Sequence, residues 1–360
     1  MSQHPYRTLP EHCFWTEAVA NRKRSDVDPV LTAKFALARD DRIATAGSCF
    51  AQHIARHLRG HGFNYFVAET AHPLVPKHLA DKFGYGVFSA RYGNIYTSRQ
   101  LIQMLQRAYG SFFPVEDCWQ RKDGRLIDPF RPQIQPDGFV SKAEYESDRR
   151  QHFAAVRRMV EEMDVFVFTL GLTETWISRG DGAAYPLCPG VAGGEFDPAR
   201  HEFVNLRAAE VSADMREAFS FIRARNSRVR FIVTVSPVPL IATADDRHVL
   251  VSTTYSKSAL RVACEELAAD YQDVAYFPAY EVITGSYTRG QYFASDLRSV
   301  TEDGVGHVMH LFMKHYARDR REPPDDTASR SSEGDAAGSR QSQIIKNIVE
   351  VMCDEEALRR

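Results

Sequence analysis

The chain has 360 residues, 44% hydrophobic and 26% charged, with a formal net charge of −2. That balance belongs to a folded globular protein, and it supplies no broad basic field for nucleic acid. No run approaches the roughly 20 apolar residues of a membrane span.

In chain order, Met1 to Arg24 is polar and aromatic and lacks the basic segment and apolar core of a cleaved secretion signal. The six cysteines, Cys13, Cys49, Cys118, Cys188, Cys264 and Cys353, are scattered without a Cys-x-x-Cys pair. Neither a disulfide framework nor a zinc site is expected, and a reducing cytoplasm is the expected setting. Arg42 to Ala46 is a short apolar run stopping at Gly47; Ser48 and Cys49 follow, and Phe50 to Leu58 reads as a helix. Such a strand-to-helix turn holds a hydroxyl or thiol at a helix N-terminus, where backbone N–H groups and the dipole favour developing negative charge. His53, His57 and His61 continue one stripe of that helix from Cys49.

Helical patterns follow at Ser98–Tyr109, Ser141–Glu162, Ala208–Arg225, Tyr255–Tyr271 and Thr301–Tyr316, with a capping-box pattern at Ser141 and Glu144. Between them lie apolar runs at Val165–Gly171, Val229–Pro237 and Val274–Pro278, continuous enough for strands buried on both faces. Alternating strand and helix patterns predict a doubly wound sheet, with sites at the C-terminal ends of its strands near Gly47, Gly171 and Ser236. Phe112–Gly138 and Ser178–Asn205 read as excursions that wall a pocket. The expected organisation is one α/β domain over residues 1–320, a Pro-, Ser- and Gly-rich linker over 321–342 and a short helix over 343–360. That helix docks on this chain or on a second copy, so a homo-oligomer stays open. No nucleotide-binding fingerprint, Walker pattern or metal-ligand spacing is present, and no cofactor is called for.

Gly47-Ser48-Cys49-Phe50-Ala51 spells the signature of the GSCFA family. Thr169-Leu170-Gly171-Leu172-Thr173-Glu174-Thr175-Trp176, Ser236-Pro237-Val238-Pro239-Leu240, Tyr255-Ser256-Lys257 and Tyr276-Phe277-Pro278-Ala279-Tyr280-Glu281 resemble its later blocks, so the resemblance spans about residues 5–318. The family is grouped with the SGNH/GDSL hydrolases. The resemblance therefore implies a flavodoxin-like three-layer α/β/α sandwich with a mostly parallel sheet, and acyl-ester hydrolase or acyltransferase chemistry on a carbohydrate or similar polar substrate, with acyl-CoA a candidate acyl donor.

Against the superfamily's Gly-Asp-Ser, the turn puts Cys49 in the nucleophile slot, with Ser48 as a second candidate or a helix cap. Gly93 and Asn94 correspond to the second block, whose glycine N–H joins an oxyanion hole. Gly171-Leu172-Thr173-Glu174 corresponds to Gly-x-Asn-Asp, which places Thr173 as an oxyanion donor. Glu174 would orient a histidine or a sugar hydroxyl, or pair with an arginine; Trp176 would stack on a sugar ring or pack in a core. The last block, Asp-x-x-His, appears as Asp296-Leu297-Arg298-Ser299, without its histidine. His307 is the expected substitute base, with Asp296 orienting it; otherwise a Cys49 thiolate needs less help, or the site binds without catalysing. Lys257 reads as a ligand-binding or a solvated surface lysine.

Overall fold

A computed structural model describes residues 4–317. The expected linker and terminal helix lie outside these. The elements run β1 (Ile43–Gly47), α1 (Ala51–Gly60), α2 (Lys77–Lys82), α3 (Ser98–Ala108), β2 (Trp119–Gln120), β3 (Leu126–Ile127), α4 (Lys142–Glu162), β4 (Val165–Leu170), β5 (Glu174–Ser178), β6 (Ala184–Tyr185), β7 (His201–Asn205), α5 (Ala208–Arg223), β8 (Arg230–Val235), α6 (Val249–Asp270), β9 (Val274–Tyr276), α7 (Ala279–Thr284) and α8 (Glu302–Tyr316).

Strands β1, β4, β8 and β9 form one parallel sheet in that spatial order. Tyr65 bridges Ile43 in parallel, so residues 64–66 begin a further edge beyond β1. Strand residues alternate between two cores, as side chains on a pleat must. Ala44, Phe166, Phe168, Phe231 and Val233 pack with α3, α4, α5 and α6. Ile43, Val165, Val167, Ile232 and Ala275 pack with α1, α7 and α8. Both faces are covered, and the fold is a three-layer α/β/α sandwich.

Several expectations change in detail. The excursion after β4 is ordered as a three-stranded antiparallel sheet, β6-β5-β7, and the stretch after α3 carries the hairpin β2–β3. Helix α6 starts at Val249, six residues before Tyr255; Leu250 and Val251 in its first turn are exposed, which hides the apolar stripe. The capping box at Ser141 is half formed: Ser141 Oγ accepts from Glu144 N–H, but the Glu144 carboxylate accepts from Val140 N–H.

Candidate active site

Gly47 carries the chain out of β1 at φ +133°, and a Cβ there would lie 2.3 Å from the Thr169 carbonyl oxygen. Only glycine permits that approach. The turn then winds tightly, with Ala51 N–H donating to Ser48 O and Gln52 N–H to Cys49 O. Ser48 does not cap α1 through its side chain; the N-cap position is Phe50, which makes no side-chain cap bond. Ser48 is buried instead, its Oγ without a hydrogen-bond partner, whereas Cys49 is partly exposed.

Three segments distant in sequence meet this turn. Ile95 N–H donates to Gly47 O at 2.9 Å. Gly171 and Leu172 N–H both donate to Tyr96 O, at 3.0 and 2.9 Å. A Cβ on Gly171 would stand 3.0 Å from Ser48 Cβ and 3.2 Å from Tyr96 O, so Gly171 sits against both. Tyr96 is fixed from its other side by a true capping box on α3: Gln100 N–H donates to Thr97 Oγ1, and Gln100 Oε1 accepts from Thr97 N–H and Tyr96 N–H.

The segment before Tyr96 is anchored by buried charges. Glu69 Oε2 accepts from Arg91 N–H and from His152 Nδ1, each at 2.7 Å. Arg91 and Arg131 share Asp148, and Arg131 also pairs with Asp128 at 2.8 Å. Burial alone would raise the Glu69 pKa; His152, Arg131 and the Arg91 N–H outweigh it and hold the carboxyl at about 2. This frame presents Gly93, at φ +68°, and the buried Asn94. The Gly93 N–H donates to no group among the described residues. Asn94 borders a cavity of about 20 Å³ with Gln100, Arg107, Arg131 and His152. A cleft of about 490 Å³ lies elsewhere, lined by Tyr109, Phe112, Phe113, Arg149 and Arg157 among others and by no residue of the Gly47–Cys49 turn.

Several expected site residues are engaged otherwise. Thr173 is fully buried; its N–H donates to Ser256 Oγ at 3.0 Å and its hydroxyl to Asn205 Oδ1 at 2.7 Å. A hydroxyl has one proton, so Thr173 has none left for an oxyanion. Glu174 accepts from Thr243 at 2.7 Å rather than pairing with an arginine, and burial pushes its carboxyl pKa up. Trp176 is partly exposed and packs against Phe196, itself exposed, and Phe203 on the small sheet. His307 Nδ1 shares a 2.8 Å hydrogen bond with the Tyr292 hydroxyl, and the ring stands edge-on to that tyrosine. Its burial pushes its pKa down. Asp296 accepts from Ser299 Oγ at 2.6 Å and from the N–H groups of Arg298 and Ser299, so Ser299 bonds the carboxylate that a histidine was expected to use. His53, in the first turn of α1, is partly exposed, but its Nδ1 is buried without a hydrogen-bond partner; desolvation, Arg56 and His57 press its pKa down to about 3, which keeps the imidazole neutral.

Two features were not read from the sequence. Lys257 is 1% exposed, inside α6, and its Nζ donates to the Gly171 carbonyl at 2.6 Å. The alternative of a solvated surface lysine is thereby overturned. In addition, buried polar atoms without a hydrogen-bond partner gather at one end of the sheet: Ser48 Oγ at β1, Thr169 Oγ1 at β4, Thr234 Oγ1 at β8, Ser252 Oγ on α6 and Gln52 Nε2 on α1. Thr169 and Thr234 are direct partners in register, and Thr169 also pairs with Gly47. Buried polar groups are normally satisfied, and exceptions mark sites that take water or ligand. Among the described residues no group of three or more His, Cys, Asp or Glu side chains is placed to hold a metal ion. No described helix is long and apolar enough to cross a membrane.

The GSCFA family model matches residues 42–312, three quarters of the chain and every segment that meets at this turn. The chain belongs to the GSCFA family. No curated protein matches it in sequence. Among solved structures, a carbohydrate esterase family 3 protein from Talaromyces cellulolyticus is similar, with 14% identity, 60% of this chain and 87% of that chain covered, and a TM-score of 0.27.

Proposed function

We propose that this GSCFA protein is an SGNH-like acyl-ester hydrolase or acyltransferase, with Cys49 as nucleophile and a carbohydrate or similarly polar acceptor. The observation that carries the reading is the convergence of the Gly47–Cys49 turn, the Gly93–Tyr96 segment and Gly171 through direct backbone hydrogen bonds at the C-terminal ends of β1 and β4. In open α/β sheets that is where ligands bind. The partly exposed Cys49 favours sulfur over the buried Ser48 hydroxyl.

In this reading the Cys49 sulfur adds to the acyl carbonyl. The developing oxyanion is held by the N–H of residue 49 and of Gly93, assisted by the Asn94 amide. The acyl group then passes to water or to an acceptor hydroxyl. A free nucleophilic thiol suits a reducing compartment, and acyl-CoA is one candidate donor there.

The test is hydrolysis of aryl acetates and turnover of acetyl-CoA, with intact mass read for an acyl adduct. Wild type is expected to form the adduct, Cys49→Ala to lose it together with at least about 100-fold in rate, and Ser48→Ala to keep the adduct. An adduct persisting in Cys49→Ala overturns the assignment of the nucleophile. A second reading, a ligand-binding protein without turnover, draws on Ser299 standing bonded to Asp296 where a base was expected. It is favoured if wild type forms no adduct yet shows a thermal shift with acyl-CoA or small sugars.

A further inference from the structure

Burying an ammonium costs several kcal/mol unless something compensates, and a helix that needs only to pack would carry leucine at that place. α6 nevertheless buries Lys257 beside Ser252 and Ser256, each at most 1% exposed. It does so at one place in the fold. Lys257 Nζ is 2.6 Å from the carbonyl oxygen of Gly171, and Gly171 is the residue against which Ser48 rests. The lysine therefore reaches, from the opposite layer of the sandwich, the same strand ends that carry the nucleophile turn. The histidine position of the last block is meanwhile filled by Ser299, and His307 is bonded to Tyr292.

We propose that Lys257 is the proton-transfer partner of the Cys49 thiol, taking the part that the missing histidine leaves. This rests on the reading of Cys49 as nucleophile. In acylation the Cys49 S–H proton passes to the Lys257 amine, and the thiolate adds to the ester carbonyl. The ester C–O bond breaks, and the departing oxygen takes the proton from the ammonium. In deacylation water or an acceptor hydroxyl gives its proton to the amine and its oxygen bonds the acyl carbon. The C–S bond then breaks, and sulfur regains the proton. The thiolate–ammonium pair so formed lets each buried charge face an opposite one, which holds the thiol deprotonated and keeps the proton ready for the departing oxygen.

The other ionisable groups around these strand ends are committed elsewhere. Arg298 donates from Nε to the Pro239 carbonyl, Asp296 closes its own turn and Glu174 bonds Thr243; the His53 Nδ1 has no hydrogen-bond partner, but a pKa pressed down to about 3 makes that imidazole a weak base.

The experiment is the pH profile of Cys49 alkylation by iodoacetamide, read by peptide mass, in wild type, Lys257→Met and Lys257→Arg, with circular dichroism confirming the fold. Wild type is expected to titrate below an ordinary thiol. Lys257→Met should raise that midpoint by about one unit or more. Lys257→Arg, which keeps the charge but cannot release a proton, should hold the midpoint while losing ester-driven acylation. A lysine that does not face the sulfur moves neither profile, so superimposed wild-type and Lys257→Met curves overturn the proposal. Should the variants not fold, a wild-type midpoint equal to that of the urea-denatured chain overturns it equally. A shifted midpoint in a protein that cleaves no ester sustains the pairing and rejects the acyl-ester reading; ester cleavage with an unshifted profile does the reverse.

Discussion

Thr173 shows how one hydrogen bond decides a residue's role. Its slot in the third block implies an oxyanion donor, but its only hydroxyl proton goes to Asn205. Thr173→Val should therefore cost about 1 kcal/mol of stability, because the partly buried Asn205 Oδ1 loses its donor. Ester turnover, if present, should stay within about threefold, as a residue outside the oxyanion contacts requires. Urea unfolding and initial rates check the two halves; a hundredfold rate loss with unchanged stability would return Thr173 to the chemistry. The Gly47-Ser48-Cys49 turn was legible in sequence because an apolar run, a glycine and a polar pair follow one another locally. The fate of Thr173 was not, because its partner stands 32 residues away. Lys257 was hidden for a related reason: the exposed Leu250 and Val251 obscure where α6 begins, and with it which face Lys257 occupies.

At the scale of elements, the segment carrying Gly93 and Asn94 has no regular structure of its own and depends on α4 for its place. Glu69, His152, Arg91, Arg131, Asp128 and Asp148 form that tie. Since the Glu69 carboxyl is held at about 2, below its ordinary value, its contribution is fully present above about pH 4.5 and is lost as pH falls through 2. Glu69→Gln should destabilise the fold by roughly 3 kcal/mol at pH 7, and its stability should fall less steeply than wild type between pH 4.5 and 2. Denaturant midpoints measured across that range test this, and parallel curves would show that Glu69 is not the titrating group. The α3, α4, α5 and α8 helices were legible to within a few residues from their periodicity. The small sheet β6-β5-β7 was not, since its Pro- and Gly-rich connections read as irregular loop and its strands are short.

The whole molecule is organised around β4 and β8, the strands with a parallel neighbour on each side and helices over both faces. Their amides should exchange last with solvent, at the free energy of global unfolding. The β2–β3 hairpin and the β6-β5-β7 sheet should open earlier, because they stand outside the main sheet. Hydrogen exchange followed by peptide mass tests the order, and equal protection in β2–β3 and β4 would contradict it. The layer order was readable from alternating strand and helix patterns, because strands buried on both faces must be apolar throughout. Which polar atoms the packed strand ends leave unsatisfied was not readable, since that depends on register between strands far apart in the chain.

Gly47 pairs with Thr169, so the nucleophile turn and its neighbours exist only once a contact spanning 122 residues has closed. Helices form locally and fast, whereas such a pairing must first overcome the entropy of a long loop. The environment of Cys49 is thus a late product of folding, and its thiol serves as an internal clock. During refolding, helical signal returns first, and the reactivity characteristic of the native sulfur returns only when β1 has found β4.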